Sequence, residues 1–311
     1  MEPAIDLSDT SHLTEAFRAD LPLPAQLDSE YGSALRHVLD NPGSLVRPRL
    51  VFQMATAYGL DGERARDLAI ALEYFHTASL LFDDLPCMDN ALERRGAPCT
   101  HLLYGEEGAI LSALALINRA YALTWRAVAA CAEAGRQRAL EYVEHRLGVN
   151  GLLNGQSLDL HFAPSAPGRE AVEQVAIGKT VSLIRLTLAL PAMLGNAAPR
   201  ELRQIERIAV FWGLGYQIAD DLKDVVDHAG QSGKTPARDL LLGRPNLAVV
   251  IGIPAALRRL SRLIDIGDRA LRRLLAARPA LAFLEKLRGE LQLELARITR
   301  NSCALAERSQ G

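Results

Sequence analysis

The chain has 311 residues, enough for one large domain or two of average size. Its 35 basic and 37 acidic residues leave a net charge of −2, which excludes the bulk positive field behind nucleic-acid or anionic-membrane binding, so any anion has to be held locally. Hydrophobic residues make up 49% and aromatic ones only 5%, so the core must be built from Leu, Ala, Val and Ile, a mixture that favours helix.

Residues 1–25 are mixed in character and Pro-rich near Leu21 to Ala25, and read as an arm before the first long helix. Met1 to Asp9 is acidic and has neither the basic nor the apolar region of a secretory leader. Cys87, Cys99, Cys131 and Cys303 have no metal-ligand spacing, so a cytoplasmic, reducing compartment is expected. Leu27 to Leu39 runs helically to the stop signal Asn41-Pro42-Gly43. Ser44-Leu45-Val46-Arg47-Pro48-Arg49-Leu50 then opens a helix with proline near its first turn. Taken alone, Arg47 and Arg49 are ordinary surface charges.

Ala65 to Phe82 carries apolar residues at helical spacing and ends in Asp83-Asp84-Leu85-Pro86-Cys87-Met88-Asp89. His76 lies one to two turns before Asp83; a lone histidine on an apolar helix is usually a core residue, but the two carboxylates beyond it favour anion binding. Residues 90–107 read as a loop containing Arg94 and Arg95, whose guanidinium groups suit forked recognition of phosphate. Gly108 to Ala134 and Arg136 to Leu147 are helical, leading to Gly151-Leu152-Leu153-Asn154-Gly155-Gln156-Ser157-Leu158-Asp159. Two glycines in a helical pattern cost stability, which implies close packing or approach of the backbone to a ligand.

A helix from Glu170 brings Gly178-Lys179-Thr180, and a later loop holds Gly233-Lys234-Thr235. Neither is a phosphate-binding P-loop, because Glu173 and His228 stand where that motif needs glycine. Both lysines still suit phosphate as single charges. Arg200 to Gly215 continues helically to Gln217 and a second acidic cluster, Asp220-Asp221-Leu222-Lys223-Asp224; a Gly- and Pro-containing segment follows from Asp227 to Gly243, then helices over Leu247 to Ile264 and Arg269 to Leu305. No stretch reaches the about 20 apolar residues a membrane span needs, the longest candidates being broken by Arg185 and Pro191 or by Gly252 and Pro254. The expected fold is all-α, one large helical bundle over residues 1–311, with the acidic clusters at helix ends facing across a central cavity.

Carboxylates in two separate clusters suit Mg²⁺, which takes one or two carboxylates plus substrate phosphates rather than an all-protein cage. Asp220 and Asp224, four apart, share one helix face. One cluster alone is more often a solvated acidic face; two, each behind an apolar helix and followed by basic residues, point to metal-assisted diphosphate binding.

His76 to Asn90, Arg94-Arg95-Gly96, Gly155-Gln156, Lys179-Thr180, Tyr216 to Asp224 and Gly233-Lys234-Thr235-Pro236 together resemble the trans-isoprenyl diphosphate synthases of the polyprenyl synthetase family, over roughly residues 30–250. The resemblance implies an isoprenoid synthase fold, a homodimer, and condensation of isopentenyl diphosphate with an allylic diphosphate. It implies three Mg²⁺ ions held by Asp83, Asp84 and Asp89 and by Asp220, Asp221 and Asp224. Arg94, Lys179 and Lys234 would contact the allylic diphosphate, Arg47, His76 and Arg95 that of isopentenyl diphosphate, and Thr180 and Gln217 would line the reacting centre. Product length would be set on the helix leading into Asp83, where Ala78 and Ser79 are too small to plug the cavity and Phe75 and Tyr74, a turn further back, would form its floor. Small residues there imply geranylgeranyl diphosphate.

The chain departs from the pattern at Pro42-Gly43-Ser44-Leu45, where the family has Gly-Gly-Lys-Arg. Losing one charge-assisted hydrogen bond is worth about 1.5–3 kcal/mol, or roughly one to two decades in KM for isopentenyl diphosphate. Two other readings follow: a lyase that ionises an allylic diphosphate without condensation, and a non-catalytic subunit of a partner synthase. The intact Asp clusters argue against the second.

Overall fold

Leucine and alanine at helical spacing make the helices of this chain, and short polar side chains fix where a few of them begin. The structure, a computed structural model, describes residues 11–162, 168–229 and 243–308, and side chains over the same spans except 227–229 and 303–308. Lys234, together with its Gly233 and Thr235 neighbours, lies outside the described residues. In chain order come α1 (Ser11–Ala19), α2 (Ser29–Asp40), α3 (Val46–Ala57), α4 (Gly62–Asp83), α5 (Thr100–Ala129), α6 (Glu133–Leu147), α7 (Leu152–Leu160), α8 (Arg169–Ala176), a π-turn (Ile177–Val181), α9 (Ser182–Leu194), α10 (Pro199–Ala229), α11 (Leu247–Ile251), α12 (Ile253–Ala277) and α13 (Leu284–Arg308). Asp28 caps α2 by accepting from the Tyr31 N–H at 2.9 Å, and Asp61 caps α4 through the Arg64 N–H at 2.9 Å. The all-α expectation holds.

The chain gathers into two compact units, residues 1–139 with 191–196 and residues 140–190 with 197–311. In the first unit α4 packs on α3 and α5, and α2 on α5. Its core holds Met54, Leu68, Leu72, Tyr74, Leu116 and Leu123, all wholly buried. The segment read as an arm contributes to this core. Leu13, Ala16 and Phe17 of α1 are buried, and the Tyr74 hydroxyl donates to the Phe17 carbonyl at 2.7 Å. Three apolar residues over a turn and a half were too short a run to stand out in the sequence.

Residues 90–107, expected as a loop, contain a short hairpin, β1 (Glu93–Arg94) and β2 (Ala97–Pro98), with Glu93 opposite Pro98 and Arg94 opposite Ala97. Its two turn residues, Arg95 (φ 56°) and Gly96 (φ 78°), both take positive φ, as a two-residue turn of this hand requires. Two-residue strands leave no alternation to read. Helix α5 starts at Thr100, with a break at Tyr104–Gly105.

In the second unit α10 packs against α12 and α13, the π-turn packs on α7, α8 and α10, and α8 on α7 and α10. Leu186, Ile208, Leu222, Leu260 and Leu263 form its wholly buried centre. The second acidic cluster lies within α10, which runs on to Ala229, rather than at a helix end. Pro191 does not break α9 but sits inside it. The helical stretch Arg169–Leu194 is therefore long and apolar enough to cross a membrane by length and composition; 67% of its most apolar window is buried inside the protein, which marks it as a core helix.

Candidate active site

The first acidic cluster is shaped by how α4 ends. Asp84 is its C-cap, with its N–H bonded to the Leu80 carbonyl at 3.0 Å. The chain then folds back: the Asp89 N–H donates to the Asp83 carbonyl at 2.9 Å and the Asn90 N–H to that of Leu85 at 3.0 Å. This turn returns Asp89 to the side of Asp83. Asp84 is turned inward and buried. Arg94 grips its Oδ1 through Nη2 at 2.6 Å and Nε at 3.0 Å, a forked pair from the hairpin to the helix end. Asp84, expected beside Asp83 as a metal ligand, is thus engaged by the guanidinium.

Seven residues before Asp83, and so on nearly the same face of α4, His76 has a buried Nδ1 with no hydrogen-bond partner. Its pKa is held well below the ordinary value, first by burial and then by Arg47, Arg95 and Arg94. Arg47, Arg95 and His76, the three residues expected to hold one diphosphate, therefore do converge. A residue that sequence reasoning missed holds them in check. Glu73, one turn before His76, is buried and accepts from Arg95 Nη2 at 2.8 Å. Burial pushes its carboxyl up to about 7, against the pull of Arg95 and Arg47. The available signal was a lone acid in the apolar run from Leu68 to Phe82.

The residues expected to set product length separate. Ala78 is wholly buried, and the Ser79 hydroxyl donates to the His76 carbonyl at 2.8 Å. Phe75 meets Tyr121 of α5 edge to face, with centroids 4.9 Å apart. Tyr74 instead turns to α1, where it stacks edge-on against Phe17, because nine residues from Asp83 is two and a half turns and so the opposite face.

In the second unit, Lys179 and Thr180 lie on the π-turn between α8 and α9. Single π-turns within α-helices are frequent at functional sites. The turn is held by a glycine contact. A Cβ on Gly155 of α7 would stand 2.2 Å from the Lys179 nitrogen and 2.4 Å from the Gly178 carbonyl carbon, so two backbones meet where side chains cannot fit. Close packing was one of the two readings that the sequence offered for Gly155. Lys179 Nζ pairs with Asp159 Oδ2 at 2.8 Å, and Arg244 Nε lies 3.9 Å from the same oxygen. Asp159 was not singled out in the sequence; its signal is its place four residues after Gly155, one turn along the same face.

Thr180 Oγ1 donates to Gln217 Oε1 at 2.7 Å, and Gln217 Nε2 donates to Asp221 Oδ1 at 2.9 Å. The other oxygen of Asp221 accepts from the Leu247 N–H at 2.8 Å, at the start of α11. Asp220, one residue earlier on α10, is exposed. Its pKa is nonetheless raised, first by loss of water around the carboxyl; Lys223 opposes the rise, and Asp224 and Glu294 add to it.

Among the described residues no three His, Cys, Asp or Glu side chains converge closely enough to hold a metal unaided. The donor set nevertheless fits a hard cation shared with a phosphate: it is all oxygen, and at Asp220 it is crowded by like charges that a cation would relieve.

The architecture is that of the isoprenoid synthases. An FPP/GFPP synthase from Zymomonas mobilis matches over 91% of this chain and 95% of its own, with a TM-score of 0.75. A geranyltransferase from Helicobacter pylori, complexed with magnesium and isoprenyl diphosphate, matches over 98% and 99% with a TM-score of 0.74. Both are 24% identical in sequence, which speaks for the fold. The polyprenyl synthetase family model matches residues 28–272, and the chain belongs to that family. Geranylgeranyl pyrophosphate synthase 3, chloroplastic, from Arabidopsis thaliana is 33% identical over 238 residues, 75% of this chain and 66% of that protein. Geranylfarnesyl diphosphate synthase, chloroplastic, from Leucosceptrum canum is 30% identical over 237 residues, 75% of this chain and 65% of its own. The matches span about two thirds of the length of these relatives.

Proposed function

We propose that this protein is a Mg²⁺-dependent trans-prenyltransferase. It condenses isopentenyl diphosphate with dimethylallyl, geranyl or farnesyl diphosphate and stops at geranylgeranyl diphosphate. Family membership and the names of the relatives support the class of reaction. The observation that carries the reading is the placing of Arg94, on Asp84 at the end of α4, and of Arg95, on Glu73, around a half-buried His76 two turns from Asp83.

Asp83, Asp89, Asp220 and Asp224 are the carboxylates assigned to the metal, and Asp84 to holding Arg94 in place. Three Mg²⁺ ions would supply charge stabilisation to the diphosphate as its bond to carbon breaks. Arg94, Lys179 and Lys234 bind the allylic diphosphate. Asp84 and Asp159 keep the first two of these cations ordered before it arrives. Arg47, His76 and Arg95 bind the diphosphate of isopentenyl diphosphate. Loss of the allylic diphosphate leaves a cation, the alkene of isopentenyl diphosphate attacks it, and the proton released passes to the departed diphosphate. Thr180 and Gln217 line the reacting centre.

One observation favours a second reading. Leu45, at the family's arginine position, is buried with φ 50° and so fills core instead of offering charge, while Ser44 replaces the lysine. A lyase that needs no isopentenyl diphosphate would tolerate that loss. Product analysis with Mg²⁺, isopentenyl diphosphate and each allylic primer separates the two: a twenty-carbon diphosphate is expected. Hydrocarbon or alcohol formed from the primer alone would overturn the proposal.

The partner we propose is a second copy of the chain. Ile110, Leu111, Leu114, Tyr121 and Trp125 are exposed along one face of α5, an apolar stripe suited to an interface. Sedimentation of the Trp125→Glu variant is expected to give a monomer.

A further inference from the structure

Each acidic cluster opens with a pair of aspartates, and in each the second is the buried one: Asp84 is 3% exposed and Asp221 is 1%. A carboxylate whose oxygens are already taken by protein donors has less to offer a metal. Asp221 is sealed, and both of its oxygens have protein donors. Oδ2 accepts the Leu247 N–H at 2.8 Å and Oδ1 accepts Gln217 Nε2 at 2.9 Å. Its backbone carbonyl is also held, by Asn246 Nδ2 at 3.1 Å. Asn246 itself caps α11 through the Val249 N–H.

These bonds fix a direction. A carboxylate only accepts, so the amide of Gln217 must turn its NH₂ toward Asp221 and its oxygen away. That oxygen faces Thr180 at 2.7 Å and can only accept, so the single hydroxyl proton of Thr180 points at Gln217. What Oγ1 of Thr180 offers on its remaining side is a lone pair. With the amide flipped, Thr180 would accept from Gln217 and turn its proton outward. Which of the two states holds is decided by the acceptor at position 221.

We infer that Asp221 is a positioning residue and not a metal ligand: through Gln217 it sets the polarity of the Thr180 hydroxyl, so that the reacting centre meets an electron-rich oxygen. This rests on the proposed reaction, in which positive charge develops on carbon beside Thr180. A lone pair stabilises that charge and an outward O–H dipole opposes it.

The Asp221→Asn variant keeps size and shape. Its side-chain oxygen still accepts from Leu247, its NH₂ then faces Gln217, and the amide of Gln217 turns over. We expect kcat to fall on the order of 10²-fold, the size of effect seen when one preorganised dipole is lost. KM for both diphosphates should stay within about twofold, the pattern of an interaction made only in the transition state. Thr180→Val should lose a similar factor and Thr180→Ser little, and the double variant Asp221→Asn with Thr180→Val should be no worse than Thr180→Val alone. Separately, Mg²⁺ titrated calorimetrically into the protein with inorganic diphosphate should bind Asp221→Asn as it binds wild type, and Asp220→Asn more weakly. Equal weakening by Asp221→Asn and Asp220→Asn, or losses at 180 and 221 that multiply, would overturn the inference. If Asp221→Asn does not fold, Gln217→Leu replaces it, with the same expected non-additivity against Thr180→Val. The Mg²⁺ titration reads the role of Asp221 even if the wild-type chain makes no elongated product, so failure of the proposed reaction and failure of this inference are told apart.

Discussion

Replacing Gly155 with alanine tests whether the backbone contact between α7 and the π-turn holds the catalytic residues in place. The added methyl would stand 2.2 Å from the Lys179 nitrogen and 2.7 Å from the Gly178 Cα, where ordinary contact begins near 3.4 Å. Neither obstacle is a flexible side chain, so the two backbones must part by about 1 Å. Overpacking of this kind costs about 1–3 kcal/mol, on the order of 5 °C in Tm for a chain this long. The displacement falls on Lys179 and Thr180 themselves, and a shift of that size costs roughly 10²-fold in rate. Thermal unfolding and steady-state product formation by Gly155→Ala measure both. The control is Gly289→Ala in α13, where a Cβ meets nothing within 4 Å; there a gain of about 0.5–1 kcal/mol is expected from helix propensity. A Gly155→Ala protein that melts and turns over like wild type would refute the claim that this contact positions the site.

Glu73 makes stability depend on pH. Its folded pKa of about 7 lies above the ordinary 4.5, so the folded state keeps a proton that the unfolded state has lost. The stability from this group is complete below pH 4.5 and is lost as pH rises through 7. The difference, at 1.36 kcal/mol per pH unit, amounts to about 3 kcal/mol. Denaturant unfolding of Glu73→Gln from pH 5 to 8 should lack that fall; parallel profiles for the two proteins would count against it. Placing a large ring at Ala78, as in Ala78→Tyr, should shorten the end product from twenty carbons to fifteen. An unchanged product would remove α4 as the ruler of chain length.

Much of the site was legible because its chemistry is written in clusters. Asp83 to Asp89 and Asp220 to Asp224 are short runs of one residue type behind apolar helices, and local pattern is what a sequence displays directly. The partners that discipline those clusters were harder to see. Glu73 reaches Arg95 across 22 positions and Asp159 reaches Lys179 across 20, pairings that only the tertiary fold creates. Helix ends were misread where a helix continued against expectation. Pro191 lies within α9 because the i→i−4 bond it lacks is one bond in a helix otherwise fixed by packing. The buried role of α1 stayed hidden because Leu13, Ala16 and Phe17 are only three residues, and their burial depends on Tyr74, 57 positions away.

The π-turn also puts the helices on either side of it out of phase. Each residue of an α-helix advances the side chain by about 100°, and a wider turn between α8 and α9 accommodates one more residue than a regular helix would use. Deleting a residue from Ile177–Val181 would let the stretch from Arg169 to Leu194 close into an unbroken helix with better backbone bonding. It would also swing one flank by about a quarter turn, taking Lys179 away from Asp159 or Thr180 away from Gln217. Selection for a firmer helix and selection for this constellation therefore pull in opposite directions at one residue.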